Sequence, residues 1–177
     1  PFILSPIHRS NLDTPFVALA TPRRLRYMGK ESLWKGKSGA WFLTALGGFP
    51  VKRGTADREA LRACQAVLER GEPLVLFPEG TRQHGPVVQE LFDGTAFVQS
   101  RTGVPIIPVG IGGSEAAMPK GSKVPKPKKI TVIVGPALEL GDHVGSKAKR
   151  AAVHARTEEL REVVQALFDE AQATAGT

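Results

Sequence analysis

The chain has 177 residues and a mass of 19.0 kDa, with 41% hydrophobic and 23% charged residues. These proportions fit one folded domain with a real core and exclude a disordered chain. A net charge of +7 and a pI near 9.9 favour acidic partners, an anionic lipid or a phosphorylated ligand among them. Aromatic residues make up only 6% and no basic stretch is interleaved with stacking side chains, so no nucleic-acid partner is expected.

In chain order, Phe2-Ile3-Leu4 reads as a first strand that ends near Pro6-Ile7. His8 then lies at the strand end, and Asp13 or Thr14 can cap a helix whose first residue is Pro15. A turn between them brings the carboxylate against the imidazole, the arrangement in which an Asp fixes the tautomer and the free ring nitrogen acts as a base. As a bare pattern, a His and an Asp five apart also fits an ordinary surface turn.

Leu25-Arg26-Tyr27-Met28 predicts a second strand. From Lys30 to Leu46, Trp34, Trp41, Phe42 and Leu43 stand among Lys30, Lys35 and Lys37. This segment is expected to pack its apolar side on the sheet, the alternative being a membrane-surface patch. Gly47 to Gly54 reads as a short strand presenting Lys52 and Arg53, two adjacent cations suited to a phosphate or to solvent. Asp57 to Arg70 predicts a helix with Leu61, Cys64 and Leu68 on one face and Gly71 as its stop. Cys64 on that face reads as core; as the only cysteine it excludes an intrachain disulfide and fits a reducing compartment.

Leu74-Val75-Leu76 is a short apolar run bounded by turn formers, the signature of a buried strand. Phe77-Pro78-Glu79-Gly80-Thr81-Arg82 follows it. Pro78 cannot extend a central strand and Gly80 permits a sharp turn, so Glu79, Thr81 and Arg82 belong at a strand's carboxyl end. In open α/β sheets ligands bind there, and this trio suits a polar, anionic small molecule. A helix is expected from about Gly94 to Arg101. Val104 to Val109 is a further strand, whose prolines predict an edge position or interrupted pairing. Gly110 to Ser114 is glycine-rich but lacks G-x-G-x-x-G spacing, so no dinucleotide site is expected.

Pro119 to Lys129 is a loop rich in lysine and proline. Ile130 to Val134 predicts a strand and Ser146 to Ala173 a long helix, with Val153, Leu160, Val164, Leu167 and Ala171 on one side. The chain has neither H-E-x-x-H nor C-x-x-C, so no metal is expected. No segment reaches the roughly 18–20 continuous apolar residues of a membrane span. The first residue is Pro1, not methionine, and a membrane-associating segment is expected to precede it.

Four stretches stand in a fixed order: His8…Asp13, Gly47…Arg53, Phe77 to Arg82, and Val104 to Val109. Together they resemble the glycerolipid acyltransferase family of the 1-acylglycerol-3-phosphate (lysophospholipid) type. That family carries H-x-x-x-x-D, G-x-x-F-I-x-R, F-P-E-G-T-R-S and an apolar V-P-I-I-P-V block. The resemblance runs from Ile3 to about Gly135. Pro50 replaces the usual phenylalanine of the second motif and Gln83 the serine of the third. Phe92-Asp93-Gly94 stands where the family often has F-K-x-G, so a headgroup-binding lysine is missing there.

The resemblance implies a single α/β domain with a mixed, largely parallel sheet flanked by helices. It implies acyl transfer from acyl-coenzyme A or acyl-carrier protein to a lysophospholipid hydroxyl, at the cytoplasmic face of the membrane, with no bound cofactor. His8 would be the general base and Asp13 its orienter. Arg53 and Arg82, with Lys52 beside them, would bind the acceptor phosphate, while Glu79, Gly80 and Thr81 shape the acceptor site. Glycerol 3-phosphate or another lysophospholipid as acceptor, hydrolysis of the thioester by water, and a non-catalytic lipid-binding module are the alternatives.

Overall fold

The computed structural model describes residues 1–51, 58–122, 124–139 and 150–177. Short apolar runs make the centre of the fold. The strands β1 (Ile3–Pro6) and β4 (Leu74–Val75) are buried at every residue, as strands covered on both faces must be. They join β2 (Arg26–Lys30), β3 (Gly48–Val51), β5 (Ile106–Gly112) and β6 (Thr131–Val134) in one sheet of order β3-β2-β4-β1-β5-β6. All neighbours run parallel except β6, which pairs antiparallel with β5. The mixed, largely parallel α/β fold anticipated from the sequence is therefore the one observed.

Six helices lie among the described residues: α1 (Asp13–Val17), α2 (Lys37–Ala45), α3 (Arg58–Glu69), α4 (Gly94–Thr102), α5 (Ser114–Ala117) and α6 (Arg150–Ala175). Helix α3 buries Ala60, Cys64, Val67 and Leu68 on one stripe and stops at Gly71, whose φ of 78° suits glycine. Helix α6 sends Leu160, Val164 and Phe168 into a core shared with Ile3, Leu4, Leu74, Ile106 and Val109. Gly110 and Gly112 let it approach closely: a Cβ on either would run into the backbone of Leu167 or Ala171. The glycine-rich stretch after Val109 is thus a helix-docking surface.

Of the two positions the prolines of β5 allow, an edge or an interrupted pairing, the structure has the second, and one expectation, for Lys30 to Leu46, fails. Strand β5 is internal, between β1 and β6. Pro108 is tolerated because it falls in a gap of the ladder. On one side is the bridge Ile106–Leu138, and on the other the first β6 pair, Val109 with Val134. Its carbonyl still accepts from the Gly135 amide at 2.9 Å.

The expectation that fails concerns Lys30 to Leu46, which does not lay its apolar side on the sheet: no residue of α2 is buried. Trp34 holds the segment to the fold, its ring resting where Gly29 and Gly48 have no side chain. Trp34 Nε1–H donates to Thr44 Oγ1 at 3.1 Å, and Arg24 donates to the carbonyl of Ala45 at 2.9 Å.

Candidate active site

The site forms where β1 and β4 end side by side, at the carboxyl edge of the parallel strands. His8 leaves β1 with its side chain partly exposed, and Asp13 begins α1 with its side chain fully buried. The sequence predicts Asp13 or Thr14 as the cap of a helix that begins at Pro15, yet α1 already begins at Asp13, its cap residue is Leu12 and no side chain caps it. The carboxylate folds back instead. Asp13 Oδ2 accepts from the amides of Arg9 and Ser10, each at 2.6 Å, and from His8 Nδ1 at 3.1 Å. A carboxylate only accepts, so this bond puts the imidazole proton on Nδ1 and leaves Nε2 with its lone pair free. The ring is held flat by stacking on Phe77, with centroids 4.1 Å apart and planes inclined by 28°.

The turn after β4 grips the turn after β1 from both sides. The His8 amide donates to Glu79 Oε2 at 3.0 Å, and the His8 carbonyl accepts from the Gln83 amide at 2.8 Å. Glu79 is buried and turned inward. Its two oxygens accept from Arg9 Nη1 at 2.8 and 2.7 Å, and Oε1 also accepts from the Gln89 amide at 3.2 Å. Its carboxylate is thus taken up by the fold and offers no face to an acceptor.

Arg9 is the residue that sequence reasoning missed. It is buried, donates to the carbonyls of Gly85 and Val87 as well as to Glu79, and lies 5.1 Å from the Phe168 ring centroid. The available signal was Glu79 itself, since a carboxylate buried at a strand end needs a cation. The planar guanidinium spreads its donors over Glu79 and the carbonyls of Gly85 and Val87 at once.

Gly80 turns the chain at a φ of 67°, and the ring of Phe92 occupies the space a Cβ would take. Beyond it Thr81 is exposed and Arg82 half-buried. The Arg82 carbonyl accepts from Lys120 Nζ at 3.3 Å, so the lysine-rich loop reaches this turn. The structure thus brings His8, Asp13, Glu79, Gly80, Thr81 and Arg82 to one edge. Lys52 and Arg53 lie outside the described residues. Among the described residues no group of three or more His, Cys, Asp or Glu could hold a metal ion.

A largely parallel sheet with a His–Asp pair and a Pro-Glu-Gly-Thr-Arg turn at adjoining strand ends is the arrangement that the resemblance to the acyltransferases implies. The sequence profile of the acyltransferase family matches residues 1–112, and the chain belongs to that family. It is 27% identical over 169 residues to a 1-acyl-sn-glycerol-3-phosphate acyltransferase of Bacillus subtilis, covering 94% of this chain and 80% of that one. It is also 26% identical over 118 residues to a chloroplastic 1-acyl-sn-glycerol-3-phosphate acyltransferase of Brassica napus. That match covers 66% of this chain and 34% of the relative. The crystal structure of PlsC, the 1-acyl-sn-glycerophosphate acyltransferase of Thermotoga maritima, superimposes with a TM-score of 0.77 at 26% identity, over 96% of this chain and 65% of that one. The chain spans about a third of the length of the two chloroplastic relatives it matches, 34% and 33%.

Proposed function

We propose that this protein transfers a fatty acyl group from acyl-coenzyme A or acyl-carrier protein to the hydroxyl of 1-acylglycerol 3-phosphate. The observation that carries the reading is the His8–Asp13 pair, with Nδ1 fixed by a buried carboxylate and Nε2 free. An alcohol is a weak nucleophile near neutral pH, and a positioned base accelerates its attack by roughly 100- to 10,000-fold.

In this reading Nε2 of His8 takes the acceptor's hydroxyl proton as the oxygen attacks the thioester carbonyl. The tetrahedral intermediate collapses, the carbon–sulfur bond breaks, and the imidazolium returns the proton to the departing thiolate. No acyl-enzyme is formed. Cys64, buried in the core, takes no part. Arg82, with Arg53 and Lys52, supplies positive charge for the acceptor phosphate. Gly80 and Thr81 shape the approach to it, and Glu79 acts indirectly by fixing the His8 backbone. Among the described residues no helix is long and apolar enough to cross a membrane. A lipid acceptor and a thioester donor made in the cytoplasm support a location at the cytoplasmic face of the membrane.

The test is thiol release from palmitoyl-coenzyme A with and without the acceptor. Release that requires 1-acylglycerol 3-phosphate and yields phosphatidic acid supports the reading. Release at the same rate without acceptor makes the protein a thioesterase. A preference for glycerol 3-phosphate or for another headgroup overturns the acceptor assignment. Arg82→Ala should raise the acceptor KM more than it lowers kcat.

A further inference from the structure

We propose that the segment from Lys30 to Leu46 is a docking surface for anionic lipid, a site at which this domain meets the membrane carrying its substrate. The proposal deepens the lipid-acceptor reading above and rests on it for its purpose, not for its geometry. Leu33, Trp41, Phe42 and Leu46 are 58%, 74%, 56% and 57% exposed, all within the one segment between Lys30 and Gly47. Contiguous exposed apolar surface rimmed by polar groups marks an interaction site, since leaving it in water gives up the free energy of burial.

The segment is fixed in that posture. Trp34 packs on Gly29 and Gly48, and Arg24 bonds the carbonyl end of α2 at Ala45. The outward-facing rings therefore do not result from a helix that failed to find the core. The charge around them selects the occupant. Lys30, Lys35 and Lys37 are exposed, as is Arg24, while the only acid between Arg24 and Leu46 is Glu31. Tryptophan and lysine together suit a membrane interface, where cations meet anionic headgroups and rings enter the acyl boundary. A second copy of this chain would set lysines against lysines in a protein already carrying +7.

Topology gives the surface its use. Strand β2 runs parallel to β4, and β4 to β1, so Lys30 at the end of β2 lies on the same sheet edge as His8. The 3₁₀ turn Glu31–Trp34 that carries Leu33 begins at that edge. A membrane seated on Leu33 and α2 faces the edge where an acceptor would enter.

The test uses vesicles of phosphatidylcholine with and without phosphatidylglycerol. The protein should sediment with the anionic vesicles and be released by salt. Trp41→Ser/Phe42→Ser, both exposed positions, should lower vesicle partitioning by at least about tenfold while leaving the circular dichroism melt unchanged. Trp41 and Trp34 are the two tryptophans. In Trp34→Phe, emission from Trp41 should therefore shift to the blue on binding and be quenched by brominated acyl chains. Undiminished partitioning of the double variant, or Trp41 emission unmoved in vesicle-bound protein, overturns the proposal. So does a dimer in sedimentation that the double variant dissolves. Thiol release with short-chain soluble substrates should be unchanged in the double variant. Its absence in wild type would instead remove the acyl-transfer reading and leave the binding result standing.

Discussion

Arg9 and Glu79 meet as a two-oxygen ion pair, Nη1 lying 2.8 and 2.7 Å from Oε1 and Oε2 with both side chains out of solvent. The pair joins the first turn of the site to the second, and the same carboxylate holds the His8 amide. Removing one partner of such a pair leaves a buried charge uncompensated. Arg9→Met and Glu79→Leu should each lower the unfolding free energy by about 3–5 kcal/mol. The double variant should recover much of that stability, because two apolar side chains replace two paired charges. It should not recover the thiol-release rate, since the His8 and Gln89 amides have lost their acceptor. Urea midpoints beside turnover rates decide this, and a double variant with the wild-type rate contradicts the assigned role.

Asp13→Asn keeps the volume of the side chain and changes its hydrogen bonding. Oδ2 now accepts three bonds, and Asp13 is fully buried. An amide oxygen in the place of Oδ2 keeps those acceptor positions, but it brings no charge to hold the Nδ1–H tautomer or to stabilise the imidazolium. The expected result is a kcat lower by roughly 100- to 10,000-fold with the KM for the thioester little changed. A change confined to KM would count against Asp13 as orienter.

Burial pushes the Cys64 thiol up from 9.0 to about 12, and the Tyr27 hydroxyl up from 10.0 to about 12. Both groups are neutral acids whose folded value lies above the unfolded one. Their contribution to stability is complete below about pH 9 and is lost progressively as pH rises toward 12. Unfolding midpoints should fall across that window. In the native protein near pH 8 Cys64 should resist a thiol reagent that labels it at once in denaturant. Rapid native labelling or a flat alkaline stability profile would contradict this burial.

Gly112→Ala tests the docking of α6. A Cβ there meets the backbone of Ala171, which cannot move without shifting the helix. The substitution should destabilise by at least about 1–3 kcal/mol and lower Tm. Gly39→Ala in α2 is the control: nothing lies within 4 Å of its Cβ position, and its φ is not positive. It should be neutral or stabilising by up to about 1 kcal/mol.

Much of the fold and the site was legible because local chemistry and tertiary position agreed. The runs Ile3-Leu4 and Leu74-Val75 became buried strands, Gly71 ended α3, and His8 met Asp13 across a short turn. What was not legible depended on distant partners. Nothing around Arg9 in sequence announces Glu79 seventy residues on. The prolines of β5 gave the correct local signal, an interrupted ladder, but the interruption lies on the β6 side of an internal strand. Trp41 and Phe42 look like core in a string of letters, and only the sheet edge beside them shows that they face outward.

The central claim is that His8 removes the acceptor's proton, and its most direct test is the chemical step itself in His8→Ala. Single-turnover thiol release from palmitoyl-coenzyme A in the presence of 1-acylglycerol 3-phosphate should fall by at least about 100-fold. Acceptor binding, measured separately, should stay within about threefold of wild type, because the imidazole is assigned to proton transfer and not to holding the phosphate. A variant that keeps the wild-type single-turnover rate would contradict the account.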